Sequence, residues 1–175
     1  MDHEPLAIYL HDHLAGAKYA IDLTEALRDH YEGKALGDFA DSLLQEITQD
    51  RDTLRLIADQ IGKPSGGIRE AAAWLSEKIS RFKLDHSDST GLGTFEALEF
   101  LQLGIHGKRA LWLVLGELSG EDRRLKGYDF NELASRAQHQ EKLVEERRFI
   151  CARSSFLNSS EAVDGTNLDK CTPAR

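Results

Sequence analysis

The sequence predicts an all-α protein built as a four-helix bundle, and three observations carry the prediction. Apolar residues recur at three- and four-residue spacing through four long segments, the period of a helix with one buried face. The three prolines, Pro5, Pro64 and Pro173, fall where a helix can begin or a loop belongs, and none interrupts those segments. Gly33, Gly62 and Gly120 follow the ends of apolar runs, where a left-handed cap is wanted.

The first helix is expected from about Pro5 to Tyr31, with Leu6, Leu10, Leu14, Ala17, Ile21 and Thr24 on one side. The second, from about Leu36 to Ile61, repeats Leu36, Phe39, Leu43, Ile47, Leu54, Ile57 and Ile61. Ser65-Gly66-Gly67 breaks the chain before a short helix from about Ile68 to Lys83, and Asp85 to Gly93 reads as a loop. Thr94 is placed to cap another long helix that ends near Ser119. Asp129, with Glu132 three residues on, forms a capping box for the last, which ends near Phe156. Residues 1–157 thus make one helical-bundle domain, and 158–175 form a polar, aperiodic tail expected to be disordered.

Helices of about 25 residues span roughly 37 Å, a length suited to a bundle whose members run end to end. The short turn at Glu32 to Ala35 makes the first pair an antiparallel hairpin, and the loop from Gly120 to Tyr128 does the same for the last pair. The middle connection carries the short helix, so the chain can return along the bundle and leave the second long helix parallel to the third. Two hairpins joined by one long crossover resemble the ferritin-like bundles, in architecture alone and over about Pro5 to Phe156. Tyr9-Leu10-His11-Asp12-His13-Leu14-Ala15-Gly16 and Gly107-Lys108-Arg109-Ala110-Leu111-Trp112 are similar to segments of a group of uncharacterised bacterial helical proteins, a resemblance that implies no activity.

A ferritin-type di-metal site needs Glu-x-x-His on two helices, and no histidine of this chain has a Glu three residues before it. His11 and His13 lie about 200° apart around a helix and cannot chelate one ion. No metal and no cofactor are therefore expected; if a metal were held, Glu46, Glu99 and His13 are the first candidates. The hydrolase, P-loop and dinucleotide-binding signatures are absent.

Charge and composition exclude other classes. With 22 basic and 30 acidic side chains the chain carries a formal charge of −8, the wrong sign for a nucleic-acid partner. No basic leader precedes an apolar core, and the longest apolar run, Ala110 to Leu115, is too short to span a membrane. Cys151 and Cys171 alone make neither a disulfide framework nor a zinc site, which suits the cytoplasm, and Cys151 reads as a small core residue rather than a nucleophile.

Polar residues in apolar faces are the remaining signal. At 100° per residue His13, Asp50 and Lys108 fall on the inward sides of three helices, and Gln140 and Arg147 interleave the apolar positions of the last. A hairpin turning near residues 33 and 34 sets His13 about one turn from Asp50, and one turning near 124 sets Lys108 opposite Gln140. The expectation is an Asp50–Lys108 ion pair completed by His13 and Gln140. Two readings remain. The cluster is a satisfied network that fixes helix register, or it lines a small cavity in which Lys108 and Arg147 receive an anion and His13 moves a proton.

Gly104 and Gly107 read as places of close helix packing, and Leu103, Leu113 and Val114 as surface to be covered by the short helix or by a second copy in a homodimer. Together these features suggest a non-catalytic binding or protein-interaction module for a small-molecule or protein partner. The alternative is a non-standard metal-binding or small-molecule enzyme using the mid-bundle His/Asp/Lys cluster.

Overall fold

The computed structural model describes residues 4–64 and 91–157. These form four α-helices, α1 (Glu4–His30), α2 (Ala35–Ile61), α3 (Leu92–Leu118) and α4 (Phe130–Phe156), with a single 3-10 turn, Arg123–Leu125, before α4. Each helix has 27 residues and so runs about 40 Å. The short helix expected over 68–83 and the tail 158–175 lie outside the described residues.

Local chemistry fixes the two hairpins. Between α1 and α2 the chain reverses through Gly33, at φ 74°, closed by a bond from Lys34 N–H to the Tyr31 carbonyl at 3.0 Å. Gly37 belongs to this turn as much as to the helix, because a Cβ there would stand 2.1 Å from the Tyr31 carbonyl oxygen. At the far hairpin Asp129 accepts a bond from Glu132 N–H at 3.0 Å, the cap its spacing predicts. Thr94 departs from expectation: α3 starts two residues earlier, after Gly91 at φ 71°. The Thr94 hydroxyl bonds the Tyr31 hydroxyl at 2.6 Å, so a buried partner in the turn after α1 takes the group that would have capped the helix.

Cross-helix contacts set the directions. Lys108, Gln102 and Glu99 of α3 meet Gln140, Glu145 and Arg148 of α4, descending along one helix as they ascend the other. Between α2 and α4, Phe39 meets Arg147, Glu46 meets Gln140 and Asp50 meets Arg136, again antiparallel. Since α4 opposes both, α2 and α3 run parallel, as the hairpin reading expects. The start of α3 lies beside the end of α1, through Tyr31 and Thr94, and the end of α2 lies by the 3-10 turn, through Arg124 and Ile61. Residues 61 and 91 therefore sit at opposite ends of the bundle.

The core follows the apolar stripes on α2, α3 and α4, from Leu36 to Ile61, Ala97 to Leu115 and Phe130 to Cys151. Trp112 is fully buried, its ring 6.4 Å from Phe130. The stripe on α1 is different. Ala7 and Leu10 are buried at one end and Leu23, Thr24 and Leu27 at the other, while no residue from 11 to 22 is fully buried. Leu103, Leu113 and Val114 are exposed on α3, whereas Leu23 and Leu27, beside the expected α1 stripe, have gone into the core.

Candidate functional site

The interior polar cluster is built from three helices. Asp50, on the buried face of α2, has a side chain with 0% exposure. Its Oδ2 accepts from Lys108 Nζ of α3 at 2.5 Å and from Gln140 Nε2 of α4 at 3.2 Å, and its Oδ1 accepts from Arg136 Nη2 of α4. Lys108 also donates to Gln140 Oε1 at 2.5 Å, and Gln140 Nε2 donates to Glu46 Oε2 at 2.9 Å. The amide of Gln140, fully buried, is thus engaged at both ends.

The cluster is electrically balanced, with Asp50 and Glu46 against Lys108 and Arg136. Isolated burial of any of these charges costs several kcal/mol, and three donors around one carboxylate are the arrangement that offsets it. Lys108 keeps 15% and Arg136 26% of its side chain exposed, so both reach the interior with long stems and retain some water. Burial pulls the Lys108 ammonium below the ordinary lysine value, and the Asp50 carboxylate beside it pushes back.

Of the residues singled out in the sequence, the structure brings Asp50, Lys108 and Gln140 into one network. Two it does not. His13 meets the ring of Tyr9 edge-on, 4.7 Å between centroids, and makes no hydrogen bond to Asp50. Arg147 lies instead over the Phe39 ring, 5.1 Å from its centroid. Glu46 and Glu99, the carboxylates first suspected for metal, are engaged separately, by Gln140 and by Arg148 at 2.9 Å. Among the described residues no group of three or more His, Cys, Asp or Glu is placed to hold a metal ion. Cys151 is fully buried on α4 and disulfide-bonded, so it offers no free thiol for nucleophilic attack, and the expectation that the cysteines form no disulfide is corrected.

Arg136 escaped the sequence reading, although a signal existed. It precedes Gln140 by four residues, one turn along the same face, and Glu46 stands in the same relation to Asp50. A helix that turns one polar residue inward offers its neighbour one turn away to the same partner.

Beside the network, between α1, α2 and α3, lies a cavity of about 570 Å³. Asp50 and Lys108 lie at its edge, and Ile47, Leu54, Leu101, Ile105 and Leu111 are among the apolar residues of its wall. The α1 side is made by Tyr9, Asp12, His13, Gly16, Ala17, Tyr19 and Ala20, all but Tyr9 from the stretch 11–22 in which α1 buries nothing completely. Gly16, Gly104 and Gly107 all line it, and a Cβ built on any of them meets nothing within 4 Å. This overturns the expectation that Gly104 and Gly107 serve close packing. A real close contact in this protein looks like Gly116, whose Cβ would come within 3.3 Å of Phe130 Cβ.

The cavity's polar groups are of two kinds. Lys108 and Asp50 satisfy each other, whereas Trp112 Nε1 and the Tyr19 hydroxyl are buried without a hydrogen-bond partner among the described residues. Burial holds His13 below the ordinary imidazole range, opposed in part by Asp12, and raises the Tyr9 and Tyr19 hydroxyls above theirs. All three side chains are therefore held toward their neutral forms.

The chain matches no family model, no curated protein and no solved structure. The site therefore stands on its own geometry. No helix of the described residues is long and apolar enough to cross a membrane.

Proposed function

We propose that this protein is a non-catalytic binding module that takes a small, mainly apolar molecule into the cavity between α1, α2 and α3. The observation that carries this reading is the set of glycines at its wall. An interior helical glycine costs about 1 kcal/mol relative to alanine. Gly16, Gly104 and Gly107 bring no close packing to offset that cost, and what they leave is open space. The volume is that of an ordinary small-molecule site, with mostly apolar walls and a few polar groups.

The charged network supports binding over catalysis. Asp50 is saturated by three donors and Lys108 already serves two acceptors, so neither is poised to exchange a proton with a guest. Its role in this reading is to lock α2, α3 and α4 in register and so keep the cavity walls fixed. The helix directions support a ferritin-like bundle in which such a cavity takes the place of the metal centre. Exposed Leu103, Leu113 and Val114 on α3 support a homodimer through that face.

The test uses N-phenyl-1-naphthylamine, an uncharged dye that brightens in apolar surroundings. The wild-type protein is expected to bind it with one site per chain, and Gly107→Leu, which grows a side chain into the cavity, is expected to abolish the enhancement. The melting temperature of the variant should stay equal or rise, because leucine favours the helix. No enhancement with wild type, or equal enhancement with Gly107→Leu, overturns the proposal.

A further inference from the structure

One face of α3 carries no charge. At 100° per residue Leu103, Gly104, Gly107, Ala110, Val114 and Leu118 fall within about a third of the helix circumference, as a stripe about 22 Å long. The stripe faces solvent, with Leu103 63% and Val114 44% exposed. Glu99 and His106, at its α4 edge, are turned to Arg148 and Glu141 of that helix. Leu103, Gly104 and Gly107 also belong to the cavity wall. Gly104 is exposed as well as part of that wall, so the cavity reaches the surface at this stripe, and whatever covers the stripe covers the mouth.

A second copy of this chain fits the stripe. Each copy carries a formal charge of −8, and a twofold contact sets a surface against its own kind, so most faces of this acidic chain repel themselves. The uncharged stripe sets no like charges together. Its bulk stands toward the ends, at Leu103, Val114 and Leu118, and its middle is small, at Gly107 and Ala110. Laid antiparallel about a twofold axis between Gly107 and Ala110, two stripes place Gly107 of each copy opposite Ala110 of the other, and Leu103 opposite Val114. The small central pair lets the helix axes approach to about 8 Å, the short end of helix packing. Two such faces with their rims bury about 1,000 Å² in total, the lower limit of a specific interface, which sets the expected dissociation constant in the micromolar range.

We infer that two copies pair through α3 in this antiparallel register, each closing the mouth of the other's cavity. The register deepens the homodimer proposed above, and the closed mouth rests on the cavity reading.

Sedimentation velocity of the full chain from about 1 to 200 μM reads the pairing as a passage from 19.6 kDa toward twice that mass. Leu103→Lys and Val114→Glu should each stay monomeric, because each sets a charge against an apolar side chain. Mixed in equal amounts, the two variants should associate at least about 10-fold more tightly than either does alone, since the antiparallel register brings the added ammonium to the added carboxylate. Release of the naphthylamine dye from wild type should slow as the dimer fraction grows, and should not depend on concentration in Val114→Glu.

A mixture no tighter than its components overturns the inference, as do dimers retained by both single variants. A monomeric wild type overturns it too, and with a fall of several degrees in the melting temperature of Leu103→Lys it assigns the stripe to the chain's own residues 65–90. Dimers whose dye release is unchanged overturn the closed mouth. Absence of dye binding overturns the cavity reading, while the mixing result still decides the pairing.

Discussion

Replacing Asp50 by Asn keeps the volume of the side chain and removes the one charge that faces both Lys108 and Arg136. In the native protein the carboxylate is fully buried and accepts from three donors. Breaking a buried pair by removing one partner costs about 3–5 kcal/mol. Here Lys108 and Arg136 keep 15% and 26% of their side chains in water, which relieves part of the penalty and sets the expected loss near the low end, about 3 kcal/mol. For a chain of this length that corresponds to a fall of about 6–12 °C in melting temperature. Urea unfolding followed by circular dichroism at 222 nm, with an unchanged slope, measures it directly. Lys108→Met leaves Asp50 still held by Arg136 and should cost less. The double variant should cost less than the two single losses summed, by about 1 kcal/mol or more, because the two groups share one network. A loss under about 0.5 kcal/mol for Asp50→Asn, or simple additivity, would refute the claim that the network holds the helices together.

Two further outcomes follow from the same geometry. Gly37→Ala should destabilise the protein by about 2–3 kcal/mol, since its Cβ would collide with the Tyr31 carbonyl, whereas Gly104→Ala should stabilise it by about 0.5–1 kcal/mol; melting temperatures moving in one direction for both would contradict the assigned roles. His13, held below the ordinary imidazole value by burial, takes up its proton later in the folded protein than in the unfolded chain as pH falls. The unfolded state then binds more protons, so stability should decline on acidification from pH 7.5 through about 6.5 and level off once folded His13 itself titrates. His13→Gln should show a smaller decline between pH 7.5 and 5 in urea midpoints, and a larger one would reverse the sign of the argument.

What the sequence determined by itself is the part governed by local rules. The four long helices of the described residues and the Asp129 cap follow from periodicity, proline placement and side-chain spacing, all of which act within a few residues. Ideal hairpin arithmetic also places Lys108 opposite Gln140, and the structure finds them 2.5 Å apart, because straight helices of equal length carry register faithfully. Three things were decided only by tertiary structure. Thr94 serves Tyr31 instead of capping a helix, since which hydroxyl reaches it depends on how α1 meets α3. Arg136 joins Asp50 because a long side chain selects among partners on several helices, and no wheel ranks those choices. Gly104 and Gly107 read alike in sequence whether they admit a neighbour or leave a void. A glycine specifies only the absence of a side chain, and the placement of α1 against α3 decides that here the absence becomes a cavity.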